Sequence, residues 1–189
     1  MPPLGNTVAR PLLDGDRRNV DPVHILFVCT GNICRSPTAE RLAVAYAAER
    51  GLTLTASSAG THGLTGHPMD QSAATVLRQL GGDEEGFVAR RISPRMAEEA
   101  DLILTMTSRH RDAVLGIAPR RLRRTFTLLE AAELVRSSEA TSLDQIADAR
   151  AKHSVSTLDI EDPYKRAHEM YEEIGQQIAD TLPEILRLI

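Results

Sequence analysis

Cys29 and Cys34 are the only thiols in the chain, and both lie in the run Cys29-Thr30-Gly31-Asn32-Ile33-Cys34-Arg35-Ser36-Pro37. A cysteine, five residues, an arginine and a serine are the parts of an oxyanion cradle with a nucleophile at its mouth. Successive backbone N–H groups in a tight loop can converge on an anion. Gly31 permits a turn that other residues resist. Arg35 offers a planar fork of donors that matches two oxygens of a phosphate. The same positive field favours the thiolate of Cys29, the nucleophilic form. Ser36 can donate a hydrogen bond to that sulfur. The Gly-Lys-Ser/Thr triplet of a nucleotide-binding loop does not occur in the chain.

Such a loop works only between the right elements. His24 to Cys29 is a short, nearly continuous apolar run, the pattern of a strand buried on both faces of a parallel sheet. Ser36 and Pro37 read as an N-cap and a first helical position. Ala39, Leu42, Ala43 and Tyr46 recur at helical spacing, so a helix runs to about Arg50 and stops at Gly51. Its positive N-terminal end points into the same space as the loop. Leu52 to Ser58 alternates like a second strand, which completes a right-handed βαβ unit.

Further along, Asp70 caps a helix that buries Ala73, Ala74, Leu77 and Leu80 and ends at Gly81-Gly82. Ser93-Pro94 starts a short helix through Ala100. Asp101 to Thr107 reads as a third buried strand, Arg109 to Leu115 as a helix, and Arg124 to Leu128 as a fourth strand. Ala131 to Val155, rich in Ala, Glu and Ser, reads as a helical excursion from the core. Arg166 to Ile189 is an amphipathic helix with Tyr171, Ile174, Ile178, Leu182 and Ile185 on one face, and Pro183 should kink or restart it.

The segment Phe27 to Glu40 (FVCTGNICRSPTAE) resembles the low-molecular-weight protein tyrosine phosphatases of the bacterial type. Ser57-Ser58-Ala59-Gly60-Thr61 looks like that family's motif after its second strand, Ala100 to Thr107 like its third strand, and Asp162-Pro163-Tyr164 like its general-acid motif. The tail to Val20 and the stretch Ala131 to Leu158 lie outside the resemblance. It implies a three-layer α/β/α sandwich on a four-stranded parallel sheet. It also implies phosphomonoester hydrolysis through a cysteinyl-phosphate, with no cofactor and no metal. Cys29, Arg35 and Asp162 are then the catalytic residues. Thr30, Gly31, Asn32, Ile33, Cys34, Ser36 and Tyr164 form the substrate-binding set, with Asn32 ordering the loop and Tyr164 one wall of a cleft. Pro163 biases Asp162 toward an extended conformation and so holds the carboxyl on a stiff loop.

Two positions bear on the substrate. In the resembling family, members that act on phosphoarginine carry Thr where this chain has Ile33, so Ile33 favours the phenyl ring of phosphotyrosine. The family often places a Trp after the second strand. Here the loop is His62-Gly63-Leu64-Thr65-Gly66-His67, so His62, Leu64 or His67 must form that wall. Lys165 follows Tyr164 where the family has a second aromatic or a small residue. Cys34 reads either as small-residue packing or as a resolving thiol for oxidised Cys29.

The alternatives are a phosphoarginine phosphatase, a small-thiol-dependent arsenate reductase on the same fold, and a binding module that holds phosphate or phosphoprotein without turnover. Two cysteines are too few for an arsenate reductase that passes a disulfide along three, and too few for a disulfide scaffold or a four-cysteine zinc site. The six histidines show no metal-ligand spacing. A net charge of −4 and 3% aromatic residues argue against nucleic acid as a partner. Arg120, Arg121, Arg123 and Arg124 read as a solvated basic face.

Residues 1–20, broken by Pro2, Pro3, Gly5, Pro11 and Gly15, read as a disordered tail without the apolar stretch of a signal peptide. Residues 21–189 read as one domain, with a helical insertion around 131–158. No apolar run approaches the ~20 residues of a membrane span. The default compartment is then the cytoplasm, and arginine outnumbering lysine points to GC-rich, bacterial coding.

Overall fold

The computed structural model describes residues 21–138, 140–152 and 159–189. Its four strands are β1 (Val23–Cys29), β2 (Leu54–Gly60), β3 (Leu102–Thr105) and β4 (Thr125–Thr127). They pair in parallel in the order β2-β1-β3-β4. The helices are α1 (Arg35–Arg50), α2 (Gln71–Gln79), α3 (Pro94–Glu99), α4 (Ser108–Ile117), α5 (Leu128–Ser138), α6 (Leu143–Lys152) and α7 (His168–Leu186).

Alternation along β1 explains the layers. Ile25, Phe27 and Cys29 join a large apolar cluster with α1, α2, α5, α6 and α7. Leu26 and Val28 turn the other way, into a smaller cluster with Ala97 of α3 and Val114 of α4. A strand covered on both faces has no polar side, hence its apolar run in the sequence. The result is a three-layer α/β/α sandwich, and β1, in the interior of the sheet, delivers Cys29 at its carboxyl end.

Several boundaries differ from those read off the sequence. Helix α1 begins at Arg35, with Cys34 as its N-cap and no side-chain cap. The hydroxyl of Ser36, two residues too late to cap, is directed at the Cys29 sulfur. A side-chain cap at this end would occupy the N–H groups that an anion needs. Strand β2 runs to Gly60 because its register pairs Cys29 with Gly60. A Cβ at Gly60 would collide with the Thr30 carbonyl, so the close approach of the β2 end to the loop requires glycine there. Pro183 lies inside α7, which runs on to Leu186 without a restart. So near the C-terminal end it costs a single backbone hydrogen bond.

The largest correction concerns residues 131 to 155. Helix α5 buries Leu128, Ala131, Ala132, Leu134 and Val135 in the main core, and α6 buries Ile146, Ala147 and Ala149. Both are core elements, where an excursion was expected. Alanines hide such a helix from a hydrophobicity pattern, yet they allow close packing. Arg123 and Arg124 of the basic run pair with Asp148 and Asp144 of α6 at 2.7 and 2.8 Å on the surface, so half of the run is matched by carboxylates of the molecule itself. The tail at 1–20 and residues 153–158 lie outside the described residues. Among the described residues, no helix is long and apolar enough to cross a membrane.

Candidate active site

Cys29 ends β1 almost fully buried. Its sulfur lies 2.9 Å from the Ser36 hydroxyl and 3.3 Å from the Asn32 backbone N–H, which donates to it. Asn32 Nδ2 donates to Ser36 Oγ at 3.0 Å, so the Ser36 proton is free for the sulfur at 2.9 Å, the Ala59 carbonyl being more distant at 3.5 Å. The same Nδ2 donates to Ser58 Oγ at 2.8 Å, and Ser58 donates to Glu40 at 2.5 Å. Asn32 Oδ1 accepts the Arg90 backbone N–H at 2.8 Å. These bonds hold Asn32 at φ 58, a left-handed conformation that asparagine tolerates better than most residues. The loop is therefore fixed from beneath, through side chains that have no contact with the cleft.

Arg35, the first residue of α1, is 4% exposed. It donates from Nη1 to the Ile160 carbonyl at 2.9 Å and from Nη2 to Asp162 Oδ2 at 2.6 Å, while its Nε has no partner. Asp162 is half-exposed, and its other oxygen accepts the Tyr164 backbone N–H at 3.2 Å. A buried guanidinium with a donor to spare, at the positive end of a helix, is a site for an anion.

A cleft of about 280 Å³ opens above these groups. Cys29, Thr30, Gly31, Ile33, Cys34, Arg35, Asp162 and Tyr164 line it, joined by His62 and Leu64 from the loop after β2. His67 is absent from the wall; its ring turns back onto the Leu64 carbonyl. Asn32 and Ser36 also stand off the cleft. Both are fully buried beneath the loop and support the cleft from below without lining it.

The two thiols differ. Cys29 has two hydrogen-bond donors on its sulfur. Burial pushes the Cys34 thiol up, and the charge of Asp70 adds to this, so Cys34 stays protonated.

His110 escaped the sequence reading. It is buried on α4, with Nε2 at 2.8 Å from Thr30 Oγ1 and Nδ1 at 2.9 Å from Thr107 Oγ1. Burial lowers its pKa to about 4, helped by the positive charge of Arg35, so the ring is neutral at physiological pH. Nothing in the sequence around His110 announces a contact across 80 positions. Tyr171 of α7 is in the core as its helical spacing predicts, and its hydroxyl also accepts the Lys165 backbone N–H at 3.2 Å in the turn after Asp162.

Residues 24–144 match the model of a family described as low molecular weight phosphotyrosine protein phosphatase. The chain is 47% identical over 95 residues to the low molecular weight protein-tyrosine-phosphatase Etp of Escherichia coli. That match covers 50% of this chain and 62% of Etp, so it spans less than two thirds of the relative. The structure is similar to that of a low molecular weight protein tyrosine phosphatase from T. tengcongensis, with a TM-score of 0.72 and 27% identity over 88% of this chain and 99% of that one. It is also similar to the YwlE arginine phosphatase from Geobacillus stearothermophilus, with a TM-score of 0.69 and 26% identity over 87% and 91% of the two chains.

Proposed function

The chain belongs to the low molecular weight phosphotyrosine protein phosphatase family, and we propose that it hydrolyses phosphomonoesters, phosphotyrosine foremost, through a phosphocysteine intermediate. The observation that carries this reading is the convergence on one cleft of a doubly hydrogen-bonded Cys29 sulfur, an Arg35 with an unpartnered Nε, and the Asp162 carboxyl. The Cys29 thiolate attacks phosphorus, and Arg35 with the loop N–H groups stabilises the charge on the phosphoryl oxygens. Asp162 gives its proton to the leaving oxygen, worth typically ~10²–10⁴ in rate. The resulting carboxylate then takes a proton from water, which attacks the phosphocysteine and releases phosphate and thiolate. Ser36 steadies the sulfur as it departs.

Ile33, Leu64 and Tyr164 supply apolar walls, which suit an aryl ring better than a guanidino group. A second reading, phosphoarginine, draws on the likeness to YwlE and is tested in the same assay. The free thiols suit a reducing compartment. A bacterial cytoplasm is the proposed setting, and a phosphotyrosine protein the proposed partner.

Phosphate release from phosphotyrosine, phosphoserine and phosphoarginine peptides, with Cys29→Ser as control, tests the proposal. We expect phosphotyrosine turnover that vanishes in the variant. Preferred turnover of phosphoarginine would move the substrate to the second reading. No turnover of any peptide would sink the proposal.

A further inference from the structure

The turn that follows Asp162 contains a strained residue. Pro163 to Arg166 close on themselves through a hydrogen bond from the Arg166 N–H to the Pro163 carbonyl at 2.9 Å. Lys165, third in that turn, has φ 61. This position suits glycine or asparagine, and a lysine there must be held. The holding group is Tyr171, whose hydroxyl accepts the Lys165 N–H at 3.2 Å.

Tyr171 is well placed to connect the two halves of the site. It is 5% exposed and lines a small cavity with Cys34, Arg35 and Pro163, behind the phosphate loop. Burial raises the pKa of the phenol to about 12, with nearby Cys34 and then Asp70 adding to the rise, so the hydroxyl keeps its proton. The backbone N–H of Asp70 donates to the Ile33 carbonyl at 2.8 Å, which ties the neighbour of Tyr171 to the phosphate loop. On the other side, the turn that Tyr171 holds presents the Tyr164 N–H to Asp162 Oδ1. The orientation of the Asp162 carboxyl therefore depends on the turn keeping its shape.

We propose that the Tyr171 hydroxyl is a positioning residue for the general acid, holding Lys165 left-handed so that Asp162 faces the leaving oxygen. The inference rests on Asp162 being that acid. A hydroxyl that served only core stability would not care which leaving group the substrate carries. A poor leaving group needs its proton from Asp162, whereas a good one departs with little help.

The test is kcat/KM for aryl phosphates of graded leaving-group acidity, because kcat/KM reports the cleavage step. In Tyr171→Phe, which removes one oxygen, phenyl phosphate should lose about tenfold, while p-nitrophenyl phosphate and more activated esters stay within about twofold. Asp162→Asn should show the same pattern, larger. Glycine adopts φ 61 freely, so Tyr171→Phe should cost much less in a Lys165→Gly background. A uniform loss across the series, no loss, or the same loss with and without Lys165→Gly overturns the proposal. In those cases Asp162→Asn still shows its leaving-group dependence. If Asp162→Asn is itself indifferent to the leaving group, or the unaltered protein does not turn over aryl phosphates, the acid assignment falls and the proposal with it.

Discussion

Two arginines that pair with carboxylates, buried Arg35 and part-buried Arg150, solve the same problem in opposite ways. Arg150 of α6 donates from Nε and Nη2 to the two oxygens of buried Glu130, from Nη1 to the Leu122 carbonyl and from Nη2 to the Thr125 carbonyl. Its guanidinium lies 3.7 Å from the centre of the Phe126 ring. Glu130 also accepts the Thr127 N–H while its own N–H donates to Thr127 Oγ1, a capping box at the start of α5. Arg35 makes two hydrogen bonds and leaves Nε without a partner, and its carboxylate is half in water. One arginine is complete within the protein. The other keeps donors in reserve at the positive end of a helix. A satisfied ion pair serves the fold, and an unsatisfied one serves a ligand.

The contrast can be broken at either arginine. Arg150→Met leaves Glu130 buried without its main partner. We expect a loss of about 3–5 kcal/mol in urea unfolding, with phosphatase activity of the folded fraction nearly intact. A stability loss under 1 kcal/mol would mean that water or Arg111, 3.5 Å from Glu130, replaces Arg150 easily. Arg35→Lys keeps the charge but loses the fork, and should lower kcat by roughly 10²–10³, or about 3–4 kcal/mol of transition-state stabilisation. Its melting temperature should fall less than that of Arg150→Met. The reverse ranking in stability would abolish the distinction.

The smallest effect belongs to His110, which feels the charge of Arg35. Its pKa falls from 6.5 to about 4 on folding, so the folded state resists a proton that the unfolded state accepts. The contribution is fully present above pH 6.5, declines as pH falls, and levels off below about 4, amounting to about 3 kcal/mol. Unfolding titrations of the wild type and His110→Phe should therefore converge in stability between pH 7 and 4.5. Parallel curves would show that the ring is charged, or hydrated, in the folded protein.

The phosphate loop was legible because its parts are contiguous: Cys29, Gly31, Arg35 and Ser36 are neighbours in sequence, and strand and helix follow from local pattern. The sheet was legible from its apolar runs. Asn32 was legible as the residue that orders the loop, but its distant partners were not. Arg90 and Ser58 lie 58 and 26 positions from Asn32, and His110 reaches Thr30 across 80. Only the folded chain makes them neighbours, and their residue types carry no periodic signal. The helical character of α5 and α6 was legible, but their burial in the core was not, because alanines and an internal ion pair look like surface in a linear pattern. For Ser36 the sequence offers both a cap and a donor to the Cys29 sulfur, and the structure has the second, because the helix starts at Arg35 and places Ser36 two residues past its N-cap.

The bond between Arg35 and Asp162 joins positions 127 apart, and this has a consequence in time. During synthesis Cys29, its loop and α1 emerge early, while Asp162 and the Ile160 carbonyl that steadies Arg35 emerge far later. A nascent chain can hold a thiol and half a cradle long before Asp162 reaches Arg35. On the proposed mechanism, turnover of an ester with a poor leaving group then reports that the C-terminal part of the chain has joined the loop.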